Sequence, residues 1–281
     1  MAPPSGPALV VGCGYLGGRV AAAWRAQGRT VYALTRGRGD ELRAAGLTPI
    51  VGDVTDPASL AGVRDLPPLS TVLYAVGLDR GAGKSMREVY VEGVKNVAAA
   101  LPQVARWLHV SSTSVYGQTG GEVVTETSPT EPREESGKVV LDTERALHAA
   151  RPDAIILRFA GIYGPGRVLR RAALLKGEPY TPDPDKWLNL IHVADGVAAV
   201  LAAEFHGTDG RIYNISDETP VTRRDFYTET AKVLGAPPAA FEPPATPADE
   251  ANRRLSTEMA RTVLGFTPRY PSYREGLAAS V

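Results

Sequence analysis

A buried strand running straight into a glycine loop constrains this chain more than any other stretch. Leu9-Val10-Val11 is apolar, and Gly12-Cys13-Gly14-Tyr15-Leu16-Gly17 follows at once. The spacing is G-x-G-x-x-G, with a strand pattern before it and a helix pattern after it, the context in which that spacing carries meaning. Gly12 permits the tight turn, Gly14 lets the backbone approach a pyrophosphate, and Gly17 lets helix and strand pack closely. The helix N-terminus then turns free N–H groups and a partial positive charge toward phosphate. The stretch predicts the floor of a dinucleotide site contacted by Gly12, Cys13, Gly14, Tyr15, Leu16 and Gly17. An ordinary strand–helix turn is the competing reading. Cys13 is expected as a small filler, because the chain has no second cysteine to resolve a reactive thiol.

The rest of the chain alternates so as to give this loop a sheet. Strand patterns fall at 8–11, 30–34, 48–52, 70–76, 107–110 and 154–159, and helix patterns at 14–25, 40–45, 57–63, 84–101 and 137–150. Residues 111–121 read as a polar loop, 122–135 as irregular and 161–166 as a glycine-rich turn. Beyond them come a helix at 167–176, a strand at 188–193, a helix at 195–204, a strand at 210–215, a helix at 222–234, a linker at 236–250 and a helix at 257–264. Such alternation predicts an α/β fold. The expected architecture is a Rossmann-type doubly wound parallel sheet with a smaller C-terminal substrate lobe. Residues 7–160 and 188–216 would form the NAD(P)-binding core, and 161–187 and 217–281 the lobe.

Charge and cysteine content narrow the function classes. Lys plus Arg balances Asp plus Glu at 31 each, with no block of one sign, so nucleic acid and anionic membrane surfaces are poor partners. One cysteine in 281 residues excludes an internal disulfide framework and a multi-Cys metal site, and no metal is expected. No apolar run reaches the roughly 18 residues of a membrane span. Residues 1–7 lack the charged and apolar regions of a signal peptide, and a flexible lead-in and a cytoplasmic location are expected.

The end of the second strand chooses the cofactor. An NAD site puts Asp or Glu there to accept from the ribose 2′-OH. Thr35 and Arg36 stand there instead, with Arg38 close behind. A guanidinium can pair with a 2′-phosphate that a carboxylate would repel. NADP is therefore the expected cofactor, with NAD the alternative. Asp53, after the third strand, is expected at the adenine or as a simple cap.

Further segments carry a family likeness: Gly52-Asp53-Val54-Thr55-Asp56, Val91-Glu92-Gly93-Val94-Lys95-Asn96-Val97, Ser111-Ser112-Thr113-Ser114-Val115-Tyr116-Gly117, 157–166, Ile191-His192-Val193-Ala194-Asp195 and Tyr213-Asn214-Ile215. With the glycine loop, they make the chain resemble the extended short-chain dehydrogenase/reductase superfamily, the NAD-dependent epimerase/dehydratase group, over essentially its whole length. The tail 270–277 is similar to an atypical bacterial branch, the YeeZ-like proteins. The resemblance implies that Ser112 polarises a substrate carbonyl or hydroxyl. Ala75, Val76, Gly77, Ser111, Gly161 and Ile162 complete the expected cofactor contacts. It also implies a small-molecule substrate and a homodimer through the helices at 84–101 and 137–150.

The sequence departs from the family where proton transfer is expected. The family's Tyr and its Lys four residues on fall at Ser136 and Val140, and a further family Asn falls at Tyr90. An alkyl hydroxyl titrates far above the tyrosine reference of about 10. Lys138 points away, being two helical residues along. Tyr163 and Tyr116 are the candidate substitutes, against packing roles for each. The arginine that the family sets four residues before His192 is Leu188 here, which weakens the case for a diphosphate sugar. Arg167, Arg170, Arg171, Arg253 and Arg254 remain as candidate anion contacts, Arg167 foremost. His192 is expected to be structural. The leading expectation is an atypical short-chain oxidoreductase acting on a small polar or sugar-like substrate. The alternative is a non-catalytic dinucleotide-binding redox sensor or interaction module.

Overall fold

The computed structural model describes residues 6–101, 103–242 and 250–281. Residues 243–249 of the expected linker, and most of the lead-in, lie outside the described residues. The first half of the chain builds β1 (Ala8–Val11), α1 (Gly17–Ala26), β2 (Val31–Thr35), α2 (Gly39–Ala44), β3 (Thr48–Val51), α3 (Ala61–Arg64), β4 (Leu69–Tyr74), α4 (Gly93–Ala100), β5 (Val104–Ser112), β6 (Glu122–Val124), α5 (Glu135–Ala150) and β7 (Ile155–Phe159). The second half adds β8 (Gly161–Tyr163), α6 (Arg171–Leu175), β9 (Trp187–Leu188), β10 (Leu190–His192), α7 (Val193–His206), β11 (Ile212–Ile215), β12 (Val221–Thr222), α8 (Arg223–Val233), β13 (Arg253–Leu255), α9 (Glu258–Thr262) and α10 (Tyr273–Ala278).

Seven strands form one sheet in the order β3-β2-β1-β4-β5-β7-β11, every pair parallel. Parallel strands are buried on both faces, and β1 shows why its run is wholly apolar. Ala8 and Val10 turn toward α1 and α7, whereas Leu9 and Val11 turn toward α4 and α5. The sheet is thus doubly wound, as expected. Its order reverses between β1 and β4, which opens a crevice at their C-terminal ends, where open sheets bind ligands.

A second hydrophobic cluster gathers Tyr163, Leu174, Leu190, Phe226, Tyr273 and Leu277 from both sides of β11. Short pairs stitch this lobe: β8 with β10, β9 with β12, and β6 with β13. Ala260, Leu264 and Phe266, expected in the lobe, pack instead into the core of the main sheet.

Several elements differ from the expected ones for reasons that lie far off in sequence. The glycine loop runs on to Leu16, and α1 starts at Gly17 rather than Gly14. The helix expected at 84–101 begins at Met86 and widens into a π-turn over Glu88–Glu92. The Tyr74 hydroxyl from β4 donates to the Val89 carbonyl at 3.4 Å, and a Cβ on Gly93 would stand 2.9 Å from that hydroxyl. A side chain inserted into the helical ladder forces the extra residue. The stretch 122–135 contains β6, which pairs with β13 far along the chain, Glu122 opposite Arg253. The stretch 188–193 divides at Asn189, whose side chain donates to the Arg253 carbonyl and accepts from the Leu255 N–H. The turn at 161–163 is strand β8, and the helix expected at 167–176 shortens to α6.

Candidate active site

The glycine loop lies at the switch point. Gly12 has φ +99°, and a Cβ there would meet the Ala75 carbonyl at 2.4 Å. A Cβ on Gly17 would stand 2.2 Å from the Gly12 carbonyl, while Gly14 faces open space. No side chain caps the N-terminus of α1; the Gly18 N–H donates to the Gly14 carbonyl and those of Arg19 and Val20 to the Leu16 carbonyl, so a phosphate would meet the glycine loop ahead of them and the positive end of the helix dipole. These are the features a bound pyrophosphate requires, and the cradle fits a dinucleotide.

A cavity of about 580 Å³ extends from the loop over the ends of β1, β2, β3 and β4. Gly12, Cys13, Gly14, Arg36, Asp53, Ala75, Val76 and Gly77 line it. Tyr15, Leu16 and Gly17 do not. Leu16 and Gly17 pack inward, and the Tyr15 hydroxyl donates to the Pro165 carbonyl at 3.1 Å, tying the loop to the turn after β8. Arg36 pairs with Asp79 at 2.6 Å in an exposed pair. Arg38 pairs with Glu41 and donates to the Cys13 carbonyl at 3.2 Å. One Asp53 oxygen accepts from the N–H and hydroxyl of Thr55 in a local turn, and the helix cap beyond it is Asp56. Burial pushes the Cys13 thiol up to about 11, which makes it an inert filler.

A second cavity, of about 450 Å³, adjoins the first at Val76 and holds Ser111, Ser112, Gly161, Ile162 and Arg167. Helix α5 turns Ser136, Val140 and Thr143 into it, the spacing of one helical face. The two positions that depart from the family therefore do face the cleft. Ser112 closes β5, and its Oγ accepts from the Ser114 N–H at 3.2 Å; among the described residues no acceptor takes its own proton.

Beneath the cleft runs a buried polar chain. The Ser111 hydroxyl donates to Glu144 at 2.5 Å, and Glu144 takes a two-pronged contact from Arg158, the closest at 2.7 Å. Arg158 also donates to the Tyr116 hydroxyl, which donates in turn to Asn214. Strand register sets this up by placing Ser111 beside Arg158. Tyr116 is thus committed to the network and does not replace the missing acid.

Tyr163 does not replace it either. It is fully buried in the core of the lobe, edge-on to His192 and Phe226, and lines neither cavity. Burial raises its phenol well above the usual range. His192 accepts from the Ala194 N–H and caps α7, a structural role. Arg167 lies over the Tyr15 ring at 5.3 Å.

Sequence reasoning gave Tyr90 no role, yet it lines the cleft on the π-turn. Its hydroxyl accepts from the Leu78 N–H at 3.1 Å, and among the described residues no acceptor takes its own proton. The other titrating groups there are spent. The Tyr74 hydroxyl donates to the Val89 carbonyl, and burial holds the His109 imidazole down at about 3, neutral at ordinary pH. Only the π-turn brings Tyr90 forward, and no local pattern marks that.

The family model for NAD dependent epimerases/dehydratases matches residues 8–216. The chain belongs to that family. It is 31% identical to Protein YeeZ of Escherichia coli (strain K12) over 241 residues, covering 83% of this chain and 85% of the relative. It is 28% identical to a dTDP-4-dehydrorhamnose reductase of Mycobacterium tuberculosis over 290 residues, covering 95% and 90%. Among solved structures, MoeE5 in complex with UDP-glucuronic acid and NAD superposes with TM-score 0.79 at 26% identity, covering 98% of this chain and 97% of that one. The sheet described above is the Rossmann-like fold of these proteins. The chain is an NAD(P)-dependent enzyme of the oxidoreductase or epimerase type. No described helix is long and apolar enough to cross a membrane.

Proposed function

We propose that the protein is an atypical NADP(H)-preferring oxidoreductase that acts at a carbonyl or carbinol of a small polar, sugar-like molecule. The observation that carries this reading is the continuous cleft from Arg36, past the glycine loop, to Ser112 and Tyr90. The loop residues Gly12, Cys13 and Gly14 and the strand ends Ala75, Val76 and Gly77 would hold the dinucleotide, with Ser111, Gly161 and Ile162 at its nicotinamide end. The bound nicotinamide supplies or accepts a hydride. Ser112 donates a hydrogen bond to the reacting oxygen, keeping its own proton, and orients it. Tyr90 gives or takes the proton that Ser136 cannot.

Two results test this. Ser112→Ala lowers kcat for NADPH-dependent reduction across a carbonyl panel by about 10²–10³-fold, the usual cost of one lost oxyanion donor. Tight NADPH binding with no turnover of any carbonyl would instead support the redox sensor. Arg36→Ala raises the dissociation constant of NADPH far more than that of NADH. An exposed ion pair such as Arg36–Asp79 is worth little, so Arg36 can exchange it for a 2′-phosphate. Equal losses for both cofactors in fluorescence titrations would remove the NADP preference.

A further inference from the structure

Beyond Ser112 the cleft continues into a third cavity, of about 270 Å³, which shares Thr113, Ser114 and Gly161 with the second. Arg253 of β13 reaches into this junction. Its Nη2 donates to the Thr113 carbonyl at 2.5 Å, one residue past Ser112. Its Nε is buried with no acceptor. Among the described residues no carboxylate makes an ion pair with it. Of the two acids lining the same cavity, Glu250 pairs with Arg223 at 2.8 Å, and Glu134 accepts from the Ser136 hydroxyl and acts on the Arg253 charge only through space. A guanidinium carries five donors and stays charged. The residue is half-buried, and its buried Nε keeps an unmet donor that an incoming carboxylate can satisfy. Burial depresses its pKa.

We propose that Arg253 is a substrate-carboxylate site, and that the enzyme takes a hydroxyl-bearing oxo or hydroxy acid of sugar-acid size. The carboxylate would meet Arg253 while the reacting oxygen meets Ser112. This deepens the oxidoreductase reading and rests on it for the reaction, although not for binding. Charge favours one carboxylate over a diphosphate. Leu188 stands where the resemblance puts the diphosphate arginine, so the Arg253 guanidinium would meet the ligand's anion without that second cation. Ser112, Ser114, Ser136 and Thr143 suit the hydroxyls of such a ligand.

The test is isothermal titration of the full chain, with and without saturating NADPH, using glucuronate, glucose and inorganic phosphate as probes. Glucuronate is expected to bind at least tenfold more tightly than glucose. Arg253→Met should weaken glucuronate by roughly 10- to 100-fold, the range for a charged hydrogen bond, with NADPH affinity unchanged. Glucuronate no tighter than glucose, or unaffected by Arg253→Met, overturns the proposal. Phosphate binding more tightly than glucuronate overturns the carboxylate assignment. Rising salt gives a readout that needs no variant: glucuronate affinity must fall, and a flat response overturns the proposal. Glucuronate binding without NADPH turnover would sink the oxidoreductase reading and leave this site standing.

Discussion

Tyr90→Phe is expected to lower turnover by about 10²–10⁴-fold, the usual worth of a positioned general acid, while leaving the NADPH dissociation constant unchanged. The substitution removes one oxygen and keeps the ring. That oxygen accepts from the Leu78 N–H, so the free N–H must find water, a small loss beside a missing proton donor. The cleft offers no easy replacement. His109 resists protonation, Tyr74 is spent on the helix, and Ser136 is an alkyl alcohol. Steady-state reduction of a carbonyl panel gives kcat, and fluorescence titration gives cofactor affinity. Turnover within a few-fold of wild type would remove Tyr90 from the mechanism. Loss of NADPH affinity in parallel with turnover would make it a packing residue.

Glu144→Ala should destabilise the protein by about 3–5 kcal/mol, the usual cost of orphaning one member of a buried ion pair. Both side chains are about 4% exposed, so solvent cannot replace the lost partner. Arg158 would keep its charge beside the Tyr116 ring, 5.1 Å away, with only the Tyr116 hydroxyl still accepting from it. Ser111 would lose its acceptor as well, so the floor of the cleft loosens and cofactor affinity falls with stability. Glu144→Leu combined with Arg158→Met removes both charges and should recover much of the loss, because apolar replacement of a buried pair is often neutral. Urea unfolding checks this through the midpoint, with the slope unchanged. A single variant as stable as the parent would show that the pair contributes nothing.

The parts of the fold that can be read from the chain are those with local causes. β1, the glycine loop and the alternation up to β7 follow from apolar runs broken by Gly and Pro, and the sheet confirms them. What escaped depends on contacts between distant residues. Tyr74 reshapes the helix that carries Tyr90 from more than a dozen positions upstream. Asn189 breaks a strand by clasping residues more than sixty positions later. The site divides in the same way. The glycines and Ser112 are legible because their chemistry dictates their type. Tyr163 misled because a tyrosine next to a glycine turn reads the same whether it faces the cleft or the core, and only the packing of His192 and Phe226 decides it.

The interleaved lobe has a consequence for how the chain is made. β6 has no partner until β13 leaves the ribosome, and β7 has only β5 beside it until β11 does. Until then the cluster of Val115, Tyr116, Val124, Val140, Leu141 and Ala160 lacks Leu255, its last member. Non-local pairings of this kind are slow, and apolar surfaces left open meanwhile invite aggregation. The nucleotide-binding half can mature early, since β1 to β5 are complete by Ser112. The wall that bears Arg253 is added last, so a nascent chain acquires the means to hold a cofactor well before it can recognise anything to use it on.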